Sequence, residues 1–423
     1  RINMPEDIQK KKILVLSDHP MSPSGVGTQT KYFLEALLKT GRYKFVCFGG
    51  AIQHVNYQPM RTEEWKDDLI IYPTKGYGDA SLVREVLWVE RPDAVWIMTD
   101  PRFWGWLWEM EEEIRSHCPL VYYHVWDNYP YPKFNRKFYR SNDAIATISK
   151  VTDDIVATVT PEVKRKYIPH AVPPAFSPFP EEERQKFRQD NFGEDADKFI
   201  VFWNNRNARR KQSGSLIFWF KKFLDEVGHD KAMLIMHTDT KDPHGQDLDA
   251  IVQELGMNNG QVKFSRQKMA AEHLARLYNA CDVTVNISDA EGFGLATLES
   301  LACGTPIIVN MTGGLQEQVT DGKKFFGIGV EPVSKAVIGS QEIPFIREDR
   351  INEDDLVIAL KEMFNKTHKQ RRKLGAEGRK HVEKNYSFEQ LEKGWVEFMD
   401  EVLEENGSWD TRKGYKAWEQ LTV

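Results

Sequence analysis

The chain has 423 residues, 41% hydrophobic and 28% charged, with a formal charge of −6. That length is too great for one small core and suits two domains; the composition is that of a globular protein and not of a disordered one. The acidic balance gives no general push towards nucleic acid or an anionic membrane, and no apolar stretch reaches the ~20 residues needed to span a bilayer.

No signal-peptide pattern opens the chain, and Arg1 in place of Met suggests a trimmed start. Apolar runs at 12–16, 45–48, 69–72, 94–98, 120–123 and 144–148 read as strands. Helical patterns fall between most of them, as at 29–40 and 82–90, and 149–160 reads as a further helix. Such alternation predicts a parallel sheet covered by helices. Ser22-Pro-Ser-Gly25-Val-Gly27-Thr-Gln follows the first strand. It contains G-x-G, but Thr30 stands where a dinucleotide fingerprint has its third glycine, so a flexible turn is the plainer reading and NAD is not expected. Asp100-Pro-Arg-Phe-Trp104-Gly-Trp106-Leu-Trp108 is dense in indoles. These could stack on a sugar or base, but alternate positions cannot share one helical face, so core packing is expected for most. Tyr122-Tyr-His124-Val-Trp-Asp127 ends a strand with two groups able to polarise a hydroxyl, although a histidine at a strand end is commonly structural.

Prolines 169, 173, 174, 178 and 180 form a natural linker. The alternation then restarts, with strands at 199–203, 233–236, 262–264, 283–287 and 307–309. The expected class is therefore α/β: two Rossmann-like domains with parallel sheets facing across a cleft. The segment 335–350 has no clear period and reads as an insertion or peripheral loop. Helical intervals close the chain at 354–364, 369–384 and 388–405.

Two stretches of the second half bear chemistry. The strand 199–203 runs into Asn204-Asn-Arg206-Asn-Ala-Arg-Arg-Lys211. Guanidinium forks and a movable ammonium at a strand's carboxyl end suit a diphosphate; alone, such a run would be a solvated basic loop. The strand 283–287 precedes Glu291-Gly-Phe293-Gly294-Leu295-Ala-Thr-Leu-Glu299, which places two carboxylates around a glycine turn at a helix start. Backbone N–H groups there can approach a phosphate, and acceptor-only carboxylates suit ribose or hexose hydroxyls. His237, Asp239, His244 and Asp247 match no common ligand spacing, so a nucleotide-facing loop is preferred to a metal site. Cys47, Cys118, Cys281 and Cys303 form no CxxC pair and no zinc set. Reduced buried thiols in a cytoplasmic protein are expected.

Arg206 with Lys211 five residues on, then Glu291-x7-Glu299, resembles retaining glycosyltransferase family 4, of the GT-B fold. Asp282, Gly304-Thr-Pro306, Gly313-Gly314 with Glu317, and Ile168-Pro-His170 with Phe176 extend the resemblance over residues 13 to about 395. It implies an acceptor-binding domain at 1–173, a nucleotide-sugar-binding domain at 174–387, and helices at 388–423 crossing back to the first domain, with Tyr415, Trp418 and Leu421 packing there. It implies transfer of a hexose from a UDP- or GDP-linked sugar to a hydroxyl on a glycan, lipid or small molecule, with configuration retained and no metal. Arg206 and Lys211 would stabilise the leaving diphosphate. Glu291, Phe293, Gly294 and Leu295 would hold the sugar and phosphate, and Glu299 the ribose. Gly25 and Gly27 match the family's glycine-bearing donor loop. The family's adjacent His-Asp pair is interrupted here. Either Trp126 has replaced the histidine, or His124 fills its role beside Asp127.

Two other readings stand beside this one. A catalytically silent module could keep the fold to bind a nucleotide sugar or glycan, although the intact Arg206, Lys211, Glu291 and Glu299 argue against it. A modified base in DNA could be the acceptor. Lys133, Arg136, Lys137 and Arg140 among Phe134, Phe138 and Tyr139 would serve that, or a peripheral membrane contact, or form only a solvated patch.

Overall fold

Runs of buried aliphatic and aromatic residues form the strands, which assemble into two compact units in a computed structural model describing residues 9–22, 24–50 and 56–417. The first unit comprises the chain up to Trp126, Tyr131–His170 and the stretch from Glu389 onward; the second comprises Asp127–Pro130 and Ala171–Phe388.

The first unit holds β1 (Lys11–Asp18), β2 (Tyr43–Gly50), β3 (Met60–Arg61), β4 (Leu69–Pro73), β5 (Ala94–Met98), β6 (Leu120–His124), β7 (Ala144–Thr147) and β8 (Lys164–Tyr167). They lie in the order β3-β4-β2-β1-β5-β6-β7-β8. All neighbours are parallel except the β3–β4 pair at one edge. Ile13, Leu14, Val15 and Leu16 of β1 are completely buried, as a parallel sheet covered on both faces requires. The polar strand Lys164-Arg-Lys-Tyr167 had no apolar run to announce it; it sits at the opposite edge, where partial exposure tolerates such a sequence.

The glycine-bearing loop after β1 is more regular than expected. Gly25 and Gly27 stand in the first turn of the helix Gly25–Leu38, capped by the Ser24 hydroxyl, which accepts from Gly27 N at 2.9 Å. The C-terminal helix Phe388–Asn406 packs in this unit through Trp395, which is fully buried. Its indole lies 4.9 Å from the Phe33 ring and 4.8 Å from Tyr123. Arg42 pairs with Asp400 at 2.9 Å and Lys39 with Glu392 at 2.8 Å. Beyond that helix, the Tyr415 ring lies under Arg115 and Arg412; Trp418 and Leu421 fall outside the described residues. Of the indoles at 104, 106 and 108, Trp104 is fully buried and Trp108 donates to Pro101 O at 2.7 Å, so both work in packing. In the basic segment, Arg136 and Arg140 lie 3.6 and 3.4 Å from the Glu162 carboxylate.

The second unit holds β9 (Phe199–Asn204), β10 (Ala232–His237), β11 (Val262–Ser265), β12 (Val283–Asn286), β13 (Ile307–Asn310) and β14 (Gly327–Val330). They form a parallel sheet in the order β11-β10-β9-β12-β13-β14. Chain order runs outward from β9 to β11, then restarts on the other side of β9 at β12. The carboxyl ends of β9 and β12 therefore flank a topological switch point, where open α/β sheets place ligands. Asp282 fixes the join: its Oδ2 accepts from Ile200 N at 2.8 Å and from Arg188 at 3.2 Å.

Residues 335–350, which read as an insertion or peripheral loop, belong to a hairpin. β15 (Ser334–Ile338) and β16 (Ile346–Arg350) pair antiparallel, Ser334 opposite Arg350. Its strands are short and, apart from Glu348 and Asp349, only partly covered or exposed, so no alternation marked them in the sequence. Among the described residues no helix is long and apolar enough to cross a membrane.

Candidate functional site

The two chemistry-bearing stretches meet at the switch point. Arg209–Lys211 forms a single 3-10 turn after β9. Gln212 follows in the left-handed region (φ 59°) and leads into the helix Ser213–Val227. A non-glycine residue held there is strained and persists only where surroundings fix it; the Gln212 amide donates to Asp289 at 2.8 Å. Asn207, fully buried, braces the loop from behind by donating to Gln246 O at 2.7 Å.

The turn delivers Lys211 to Glu291. Their ammonium and carboxylate pair directly, both nearly buried. The same carboxylate oxygen accepts from Asn286 Nδ2 at 3.2 Å and Ser288 Oγ at 3.3 Å. Burial alone would raise Glu291, but the Lys211 ammonium and Arg210 guanidinium reverse that and hold it at about 2. Arg210 donates to Ala290 O at 2.6 Å and lies 3.6 Å from Asp127. Asp127 thus folds with the second unit and faces the basic turn.

The glycine turn beyond Glu291 is shaped by contact. Gly294 adopts φ 91°, and a Cβ there would sit 2.6 Å from Leu315 Cδ2. The Phe293 and Gly294 carbonyls accept from Gln318 Nε2 at 2.8 and 2.9 Å, which fixes the turn at the start of the helix Leu295–Ala302. On that helix Glu299 accepts from Tyr278 OH at 3.2 Å, and Tyr278 in turn accepts from Asn204 at 2.9 Å. Burial pushes the Glu299 carboxyl up to about 8, with the Tyr278 bond acting against it.

This has a consequence for stability. Between its ordinary 4.5 and about 8, Glu299 is charged in the unfolded chain but protonated in the folded one. The folded state holds the extra proton, so stability is lost as pH rises through that window. Glu299→Gln removes the dependence. Its advantage over the natural protein should grow across the window to on the order of 2 kcal/mol, because solvent screens the partly open carboxyl. Thermal melts of both proteins below and above the window test this; an equal difference at both ends would show that Glu299 titrates alike in the folded and unfolded chains.

Arg206 stands apart from the Lys211–Glu291 pair. Its guanidinium is mostly exposed and bonds Asp242 at 2.8 Å. It lines a polar cavity of about 240 Å³ at the ends of β9, β10 and β11, with Asn205, His237, Thr238, Arg266 and Lys268 also in its wall. His237 is occupied by Ser265 Oγ at 2.9 Å. Among the described residues no group of three or more His, Cys, Asp or Glu gathers where it could hold a metal ion.

His124, one of the two alternatives for the family's histidine, is completely buried at the end of β6 in the first unit, with Nε2 bonded to Tyr139 OH at 2.7 Å. Burial and the Arg102 charge lower it to about 3, so it is neutral. A group sealed from solvent in this way cannot meet a substrate hydroxyl without moving. Gly27 is also enclosed, since a Cβ there would lie 2.7 Å from His19 O.

Sequence reasoning gave no role to Asn286, Ser288 or Tyr278, and took Arg210 only as part of the basic run. The first two lie five and three positions before Glu291, at and just beyond the end of β12, a spacing that hinted at a shared loop. Nothing local flagged Tyr278.

Residues 183–381 match the family model described as Glycosyl transferases group 1. The chain is 28% identical over 222 residues to mannosylfructose-phosphate synthase of Agrobacterium fabrum, covering 50% of this chain and 47% of that protein. It thus spans about half the length of that relative. The fold matches sucrose-phosphate synthase from Thermosynechococcus elongatus at TM-score 0.73 and 18% identity, over 94% of this chain and 100% of that one. It also matches the trehalose-6-phosphate protein from E. coli bound with UDP-2-fluoro glucose, at TM-score 0.67 and 12% identity, over 93% and 99%. These likenesses establish the α/β GT-B fold with its Rossmann-like domains.

Proposed function

We propose that the protein is a retaining glycosyltransferase that moves a hexose from a UDP- or GDP-linked sugar to an acceptor hydroxyl. The observation that carries this is the buried Lys211–Glu291 pair beside a glycine turn and helix start, at the switch point within the residues that match the Glycosyl transferases group 1 model. The E. coli structure with a UDP-sugar supports the donor class.

In this reading the diphosphate lies between Lys211 and the N-terminus of Leu295–Ala302, where ammonium and helix dipole both favour the charge that grows on it. Arg206 turns from Asp242 to a phosphate oxygen. Glu299 accepts from the ribose hydroxyls, and the adjacent polar cavity receives the base. Glu291 holds a sugar hydroxyl. It is a poor covalent nucleophile, because one of its oxygens already accepts from Lys211, Asn286 and Ser288. Front-face transfer follows: the bond from the anomeric carbon to phosphate oxygen breaks, that to the acceptor oxygen forms, and the acceptor proton passes to the leaving phosphate. With cations already facing the diphosphate, no divalent metal is required.

The test is a donor screen followed by product analysis. The correct nucleotide sugar, well above its Kd, should stabilise the protein by about 2–4 kcal/mol in thermal melts. Proton NMR of early product should show an α linkage from an α donor, equally with and without EDTA. A β product would overturn retention. Activity lost to EDTA and restored only by divalent metal would overturn metal independence. Donor hydrolysis and transfer both absent, despite tight binding, would favour a silent nucleotide-sugar module.

A further inference from the structure

No other residue of β15 or β16 is buried, yet Glu348 and Asp349 at the base of the hairpin are 3% and 5% exposed. Buried carboxylates on a peripheral ribbon require an account, since burying charge is unfavourable unless it is fully used. Each is tied to a different part of the candidate site. Glu348 accepts from Arg209 at 2.7 Å and from Arg350 at 2.7 Å. Although burial raises it, those bonds bring it below the usual carboxylate range. Arg209 adjoins Arg210 and belongs to the turn that delivers Lys211.

Asp349 Oδ2 accepts from Asn128 Nδ2 at 2.7 Å and from Thr312 Oγ1 at 2.8 Å. Its backbone carbonyl accepts from Asn310 at 2.7 Å, and its N–H donates to Asp289 O at 2.8 Å. Next to it, Arg347 N donates to Tyr129 O at 2.7 Å. Two adjacent residues of one strand therefore touch four separate segments: the basic turn, the Asp289 loop that leads to Glu291, the Thr312–Gly314 turn, and the segment that holds Asp127. Asp349 Oδ1 is buried with no partner among the described residues, a cost that an apolar residue would avoid.

We infer that the Ser334–Arg350 hairpin is a positioning element for glycosyl transfer, in which Glu348 and Asp349 hold the Lys211 turn, the Gly313 turn and Asp127 in one arrangement. This rests on the function proposed above. Neither carboxylate is placed on the substrate; both act through the residues they hold. Their effect belongs to the turnover step, where a misplacement of about 1 Å costs up to ~100-fold, more than to binding of the nucleotide.

Asp349→Ala should lower kcat by roughly 10–100-fold, while calorimetry with the free nucleotide diphosphate gives an affinity within about threefold of the natural protein. Asp349→Asn, which keeps one acceptor for Asn128 or Thr312, should recover part of the loss. Val337→Ser, exposed on the same hairpin, should change neither quantity. Should Asp349→Ala fold poorly, Thr312→Val and Asn128→Ala each remove one donor to Asp349 and should each show the same kcat-selective loss. Wild-type kcat in those variants, or a loss of affinity equal to the loss of kcat, overturns the inference. Lys211→Ala keeps its failure distinct from that of the functional reading. Full turnover there removes the reading itself, whereas turnover lost there but kept in the Asp349, Thr312 and Asn128 variants removes only the positioning role.

Discussion

Lys211→Ala is expected to cost turnover by ~100-fold or more, the usual price of removing a donor to developing charge, and to lower stability by about 3–5 kcal/mol, because Glu291 is then left buried without its cation. The two effects have separate causes and can be separated. Lys211→Met with Glu291→Leu replaces the ion pair by apolar side chains of similar volume, which is often neutral for stability. The double variant should regain most of the lost stability and none of the turnover. Arg206→Ala isolates the catalytic effect from the other direction. Its side chain is mostly exposed and its pairing with Asp242 is a surface contact, so stability should move by no more than about 0.5 kcal/mol. Its loss of turnover would then report on the diphosphate alone. Turnover near wild type in both single variants, measured with saturating donor, would sink the clamp.

Much of this was legible because the signals were local and repeated. Buried parallel strands such as 94–98 and 199–203 are continuous apolar runs, and their alternation with helical periods specifies the fold class without any long-range information. The Lys211–Glu291 meeting could also be anticipated. Each lies just after a strand, and carboxyl ends of neighbouring strands share one edge of the sheet. Three features were hidden, each for a physical reason. The edge strand β8 has a polar sequence, so its pairing depends on a neighbour and not on its own apolarity. The hairpin's part in the site lies in tertiary bonds from Glu348 and Asp349, which look like ordinary surface acids in an exposed ribbon. Whether His124 was structural or available stayed open in the sequence, because burial depends on what covers it, and Tyr139 lies fifteen residues further on.

Gly313→Ala should be among the most damaging single-methyl changes in the protein. The residue adopts φ 49°, so any side chain incurs the left-handed penalty of about 1–2 kcal/mol. A Cβ there would also stand 1.9 Å from the carbonyl oxygen of Glu291 and 2.9 Å from that of Asp127. Both are backbone atoms, so no rotamer change can clear them. The neighbouring Gly314 donates its N–H to Glu291 O at 3.1 Å, which presses the two turns together. Overpacking of this kind adds about 1–3 kcal/mol, and relief requires the Glu291 backbone to retreat, carrying the carboxylate away from Lys211. Gly322→Ala supplies the comparison. That glycine also has positive φ, 91°, but no atom within 4 Å of its Cβ position. It should lose only the conformational part and keep full turnover. Denaturant melts and kcat measured on the two variants therefore isolate the contact from the strain. Gly313→Ala should be less stable than Gly322→Ala by about 1–3 kcal/mol and slower by roughly 10–100-fold. Equal stability and wild-type turnover would mean that the Gly313 turn yields freely and does not set the position of Glu291.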